Sequence, residues 1–433
     1  MFLLRERPVA GLLACLALSM ASCASATEPT TSSTSTTSTT IGSAPTASAL
    51  RTIDPKALQA VVETAAEMLM VPGAMVVLQT PQGDFSAAAG TTEFGAQTPP
   101  TASTHFRIAS NTKTMTAALI VLLAQDGKLK FDDPVSDYVA DVPNGENITV
   151  ADLLKMRSGL YGYTGDPKLA AAMDADPGKA WTPREVLAIA FRHPPQFAPD
   201  ASYDYSNTNY TLLGIVAEKV GGRPLAQQFQ DRLFGPVGLA HTSLPATDDT
   251  TMPAPYSHGY MYGGSFYALA DDPYPADMQA AARAGTLAPI DYTHQNSSYA
   301  TAAGGAISTA DDLATWMRAL VSGKVFNAEY QQQWSTSLQA EDPDQPDGQK
   351  YGYGISYQRF GPNAAMYYHG GELPGFNSFM GYDPDNEVAL VIWTNLTLSP
   401  DGRTTAQAML PILLDEIYAG LALVPPPTPT TTK

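Results

Sequence analysis

"RIASNTKTMTAALIVLLAQDGK", Arg107–Lys128, decides how this chain is read. From Met115 onward the apolar residues recur at helical spacing, with Met115, Ala118, Leu119, Leu122 and Leu123 on one face. Ile120 and Val121 point elsewhere, so the helix is apolar nearly all round and belongs inside a domain. Yet Ser110 and Lys113 share its first turn, three positions apart and therefore neighbours on one face. An ammonium is costly to desolvate, so a lysine beside a serine at the mouth of a buried helix asks for a chemical reason.

Ser110-Asn111-Thr112-Lys113 fits S-x-x-K, a weak signal alone. Two further stretches accompany it. "FAPDASYDYSNTNYTLLG" (Phe197–Gly214) carries Tyr205-Ser206-Asn207, and "YYHGGELPGF" (Tyr367–Phe376) carries His369-Gly370-Gly371. A serine hydroxyl needs a base within hydrogen-bond reach to act as a nucleophile. Lys113 supplies either a positive charge that lowers a neighbouring phenol's pKa or, once desolvated, a neutral amine. Tyr205 is the candidate phenol, and the residues alone leave open which of the two takes the proton. The N-terminus of the helix adds favourable potential for developing negative charge.

S-x-x-K, Y-x-N and H-x-G in this order resemble the serine β-lactamase-like hydrolases. That family includes class C β-lactamases, D-alanyl-D-alanine carboxypeptidases (penicillin-binding proteins), D-aminopeptidases and β-lactamase-fold esterases. "FDDPVSDYV" (Phe131–Val139), "LLKMRSGL" (Leu153–Leu160) and "AAGGAISTADDL" (Ala302–Leu313) extend the resemblance over Ile53–Leu423. It implies a β-lactamase/transpeptidase-like fold and a Ser110 acyl-enzyme, with Lys113 and Tyr205 catalytic. It also implies an oxyanion hole from the backbone N–H groups of Ser110 and Glu372, and substrate contacts from Asn207, His369 and Gly371. Two departures bear on substrate. Histidine stands where penicillin-recognising enzymes have lysine, and Gly370 stands where many have threonine. A histidine is only partly charged near neutral pH, so carboxylate recognition is weakened. Asp200 replaces a glycine of the family's pattern, which should alter a turn and not the chemistry. The implied activity is that of a D-alanyl-D-alanine carboxypeptidase-like peptidase. An esterase or D-aminopeptidase follows, then a β-lactamase; a non-catalytic wall-peptide or penicillin-binding lipoprotein is the alternative of another class. The substrate is a small molecule or peptide, a D-amino-acid peptide or ester.

The flanks indicate the architecture. Pro55–Met70 reads as a helix, followed by strands at Ala74–Thr80 and Asp84–Gly90. Three more strands, "AAMYYHG", "FNSFMGY" and "EVALVIWTN", and a final helix over Thr404–Tyr418 lie near the other end. Strands at both ends with helices between predict an α+β fold. It has an antiparallel five-stranded sheet flanked by N- and C-terminal helices, plus an inserted mainly helical region. Thr309 and Asp312 form a capping-box variant ahead of a helix ending at Gly323, and another helix runs from Tyr210 to Gly222. The tyrosine-rich segment Met252–Tyr299 either walls a cleft or packs as an irregular insertion.

The composition narrows the function further. With 433 residues and 44% apolar content the chain is long enough for one large core. A net charge of -18 with only 24 Lys and Arg argues against nucleic acid. No H-E-x-x-H or calcium-loop pattern occurs, so neither metal nor other cofactor is expected. Both cysteines, Cys15 and Cys23, lie near the start, leaving the domain without a disulfide. There Arg5 and Arg7 precede the short apolar run Val9–Ala21, and "MASC" (Met20–Cys23) resembles a lipobox. The segments expected are residues 1–22 as a lipoprotein signal peptide and 23–52 as a lipidated Cys23 with a Ser/Thr-rich linker. The hydrolase domain then spans 53–423, and 424–433 is a disordered Pro/Thr tail. The protein is expected outside the cytoplasm, held at the cell membrane by its lipid anchor only, or secreted if not lipidated. Oligomeric state is not legible.

Overall fold

The structure, a computed structural model, describes residues 49–270 and 273–421. The segments expected as signal peptide, lipidated Cys23 and Pro/Thr tail, and nearly all of the expected linker, lie outside the described residues. Helix α1 (Pro55–Met68) starts where Asp54 accepts a hydrogen bond from the Lys56 N–H at 2.9 Å and Pro55 occupies the first turn. It buries Leu58, Val62, Ala65 and Ala66, a stripe at helical spacing.

Strands β1 (Gly73–Thr80) and β2 (Gly83–Gly90) follow as a hairpin. The sheet resumes near the other end with β3 (Gln339–Ala340), β4 (Lys350–Tyr351), β5 (Ser356–Gly361), β6 (Ala364–Leu373), β7 (Phe376–Asp383) and β8 (Val388–Thr394). Their order is β2-β1-β8-β7-β6-β5-β4-β3, antiparallel throughout, with β1 pairing β8 from Ala74↔Thr394 to Gln79↔Ala389. The α+β class is as expected, but the sheet has eight strands and not five. The three additional ones carry no readable signal. β3 and β4 have two residues each, and β5, "SYQRFG", is largely polar and lies between partly exposed neighbours.

Alternation along the central strands splits the core in two. Ala74, Val76 and Leu78 of β1, with Leu390 and Ile392 of β8, face α1 and the last helix, α5 (Thr405–Ile417). Met75 and Val77, with Val391 and Trp393, face the inserted region, which includes α2 (Thr112–Gln125), α3 (Asn207–Gly221) and α4 (Ala310–Val321). α2 is buried from Thr112 to Ala124, as its all-round apolar sequence requires. Its threonines are satisfied internally: Thr116 Oγ1 donates to Ala302 O at 2.6 Å, and Thr114 Oγ1 accepts from Trp316 Nε1 at 2.8 Å. Thr309 caps α4 through the Asp312 N–H, but the capping box is only half made. The Asp312 carboxylate turns instead to the His241 N–H and the Thr242 hydroxyl. Asp200 takes φ 59°, the left-handed turn conformation that favours glycine, 3.7 Å from Lys155.

Candidate active site

Ser110 is delivered by a single 3₁₀ turn, Ala109–Asn111, immediately before α2, so that the turn and not the helix proper carries it. Ala109 holds φ 49°, uncommon for a residue with a Cβ, and this reversal sets Ser110 at the floor of a cleft. The turn is pinned beneath: Thr112 Oγ1 donates to Ala109 O at 2.7 Å, and Asn111 Nδ2 donates to Ser378 Oγ at 2.8 Å.

Lys113 lies under Ser110 and is 0% exposed. Its Nζ is 2.9 Å from Ser110 Oγ, 2.7 Å from Asn207 Oδ1 and 2.7 Å from Ala303 O. As an ammonium it donates to all three. Burial pushes its pKa well below the ordinary lysine value, favouring the neutral amine. The amine has two N–H groups and one lone pair. Ala303 O can only accept and Asn207 Oδ1 likewise, so both N–H groups are claimed and the lone pair is left for the Ser110 hydroxyl.

Tyr205 stands above this group, 41% exposed, its ring centroid 4.9 Å from Lys113 Nζ. Asn207 opens α3, and its Nδ2 donates to Thr164 Oγ1 at 3.2 Å. Across the cleft runs β6. β5 pairs with it only as far as Tyr368, so His369 to Leu373 form an edge toward the cavity. Gly371 lets this edge approach the Ser110 turn: a Cβ there would lie 2.3 Å from Ile108 O.

His369 departs from expectation. It is buried, and its pKa is pushed down to about 3, chiefly by loss of water and further by Lys113. The partial charge expected near neutral pH is therefore absent. Nδ1 lies 2.7 Å from Gly370 O, which can only accept, so the proton is on Nδ1. Nε2 then accepts from Tyr351 Oη at 3.1 Å.

The cleft encloses about 320 Å³ and brings together Ser110, Tyr205, Asn207, His369, Gly371 and Glu372 over Lys113. It also gathers residues that the sequence did not single out: Thr164, Tyr203, Gln349, Tyr351, Tyr368 and Gln407. Tyr203 and Tyr368 lie inside the two quoted stretches that carry Tyr205 and His369, and Ala303, whose carbonyl accepts from Lys113, lies in "AAGGAISTADDL"; Thr164, Gln349, Tyr351 and Gln407 carry no local pattern. The tyrosine-rich segment resolves toward packing. Tyr260, Tyr262, Tyr274 and Tyr292 enter the core, and among the described residues of that segment Ala268 and Leu269 alone line the cleft. No group of three metal-ligating side chains occurs among the described residues.

A profile of the family described as Beta-lactamase matches residues 58–414. A D-stereospecific amidohydrolase from Streptomyces sp. superposes with TM-score 0.69 at 30% identity, covering 82% of this chain and 97% of its own. D-amino acid amidase from Ochrobactrum anthropi SV3, complexed with D-phenylalanine, gives TM-score 0.69 at 26% identity, with 83% and 96% covered. An Escherichia coli (strain K12) protein provisionally described as a D-alanyl-D-alanine carboxypeptidase is 26% identical over 361 residues, 74% of this chain and 78% of that one. Other curated relatives are longer: the chain spans 62% of a Bacillus subtilis (strain 168) protein provisionally described as the penicillin-binding protein PbpX and 53% of the Staphylococcus aureus (strain MW2) protein flp.

Proposed function

The chain belongs to the Beta-lactamase family and is a serine hydrolase of that fold; from that premise we propose that it cleaves amide bonds of D-amino-acid derivatives through an acyl-enzyme on Ser110. The observation that carries the chemistry is the buried Lys113 amine 2.9 Å from Ser110 Oγ. Lys113 takes the hydroxyl proton as Oγ bonds to the carbonyl carbon. The Ser110 and Glu372 backbone N–H groups stabilise the oxyanion, β6 being held close enough by Gly371. Tyr205, over Lys113, passes the proton to the departing amine. Water then attacks the ester, with the same groups returning the proton.

An uncharged His369 and the bare Gly370 favour an amide substrate over one anchored by a terminal carboxylate. The likeness to the Streptomyces amidohydrolase and the Ochrobactrum amidase supports the same choice. A carboxypeptidase-like activity is the second reading, favoured by the Escherichia coli relative.

Incubation with D-amino-acid amides and, separately, with a penicillin tests the proposal by product release and intact mass. D-Amino acid should be released by the native protein and not by Ser110→Ala, with no lasting penicilloyl adduct. Turnover surviving in Ser110→Ala overturns the nucleophile. A stable adduct on Ser110 with no amide turnover selects the carboxypeptidase reading instead.

A further inference from the structure

Along β6 the cleft runs from the oxyanion hole at Glu372 toward the side on which the amine departs. Tyr205, which hands the proton to the departing nitrogen, stands beside His369 with ring centroids 6.3 Å apart. The neighbouring position, Gly370, has no side chain, and Gln407 in the first turn of α5 lies across it, where a Cβ would come within 2.8 Å of its Nε2. That nitrogen donates to Ser378 O at 3.3 Å, and because a carbonyl only accepts, the orientation of the amide is fixed. Gln407 lines the cleft while its Oε1 is enclosed, so the polar atom it brings there is Nε2. An amide nitrogen carries two N–H groups, and the second has no acceptor among the described residues. Where a threonine would present a hydroxyl, this wall presents a neutral N–H donor.

No cation accompanies this donor. His369 is uncharged with its single proton committed to Gly370 O, and Lys113 Nζ is directed inward to Asn207 Oδ1 and Ala303 O. Glu372, on the same face of β6 as Gly370, adds a formal negative charge about 7 Å along the strand. A carboxylate brought to Gln407 exchanges water for one neutral donor and faces a like charge, which is costly. A carboxamide or peptide carbonyl carries no charge and is satisfied by one donor. In a departing amino-acid residue that carbonyl lies two bonds beyond the nitrogen, on the side away from Ser110. We infer that Gln407 Nε2 receives the carbonyl of the departing residue, so that the bond cleaved is one followed by a further amide and not by a chain-terminal carboxylate. The inference rests on the proposed amide hydrolysis at Ser110 and names what leaves: an amino-acid amide or a peptide, not a free amino acid.

The test uses the full chain and three substrates with one acyl part: D-alanyl-D-alanine methylamide, D-alanyl-D-alanine and D-alanine p-nitroanilide, which has no carbonyl beyond its departing nitrogen. Products are separated by chromatography. The native protein should release D-alanine methylamide, with kcat/KM above that of the free dipeptide by about tenfold or more at pH 7. Gln407→Leu should lower kcat/KM of the methylamide relative to the anilide by about three- to tenfold, the worth of one neutral hydrogen bond; damage to the shared chemical step cancels in that ratio. Gly370→Ala, whose methyl group displaces Nε2, should lower the same ratio, and Gln407→Arg should turn the preference toward the free dipeptide. A native preference near or below one, release of methylamine in place of D-alanine methylamide, or a ratio unchanged in both Gln407→Leu and Gly370→Ala overturns the inference. Ser110-dependent turnover of p-nitrophenyl acetate serves as the control. If it persists while neither dipeptide is cleaved, the Gln407 assignment falls and Ser110 stands. If it survives in Ser110→Ala, the proposed function falls with it.

Discussion

Lys113 is an amine enclosed by three oxygens and no solvent, and its environment sets the pH dependence. Because burial favours the neutral form, kcat/KM should rise with pH as Lys113 loses its proton and level off well below the ordinary lysine range. His369 makes a separate prediction about stability. Its folded pKa is about 3 against 6.5 unfolded, so the unfolded chain binds the extra proton between these values. That stability is fully present above pH 6.5 and is lost as pH falls toward 3. The slope is at most about 1.36 kcal/mol per pH unit, several kcal/mol in total. Urea unfolding of the native protein and of His369→Asn from pH 4 to 7 should show this slope in the first and its loss in the second; parallel slopes would refute a buried neutral histidine. Ser110, Lys113, Tyr205 and Asn207 were legible because short-range motifs carry them. The charge state of His369 was not, because it follows from enclosure by residues distant in sequence.

At the scale of elements, the contact between β6 and the Ser110 turn is decisive. Gly371→Ala places a methyl group 2.3 Å from Ile108 O and 2.5 Å from Ser378 Oγ, closer than atoms can stand. Either the strand or the turn must retreat, and overpacking of this kind costs about 1–3 kcal/mol. The variant should remain folded, with kcat down by at least about tenfold, since misplacement by an ångström is that costly to an aligned attack. Steady-state kinetics beside a thermal melt checks this; unaltered kcat would mean the edge has slack. α1, β1, β2, β6, β7, β8 and α5 could be read from periodicity and turn residues to within a few positions. β5 could not. Its alternation is blurred by polar residues, and only β6 on one side and β4 on the other make it a strand.

Over the whole molecule, the two ends of the chain build one sheet and the middle supplies the chemistry, so closure of the sheet must register the insertion. Asn395, fully buried just beyond β8, does this through three contacts. Its Oδ1 accepts from the Gly73 N–H at 2.6 Å, and its Nδ2 donates to Thr91 O at 3.0 Å and Ser257 Oγ at 3.2 Å. Asn395→Ala strands buried backbone groups at the start of β1 and the exit of β2, so a loss of about 2–4 kcal/mol is expected in chemical denaturation. A change below about 0.5 kcal/mol would show that the junction is satisfied by other means.

Hydrophobic periodicity, capping residues and three short motifs were enough for the sequence alone to determine the fold class, the central buried helix and the pairing of Ser110 with Lys113. These are local properties, written in spacings of three or four residues along a helix and two along a strand. Only the tertiary structure decided the rest: which oxygens surround Lys113, that His369 is neutral, and that Gln407 comes from the last helix to lie across Gly370. Burial and hydrogen-bond partnership depend on segments far apart in the chain meeting at one point, and no local pattern encodes that meeting.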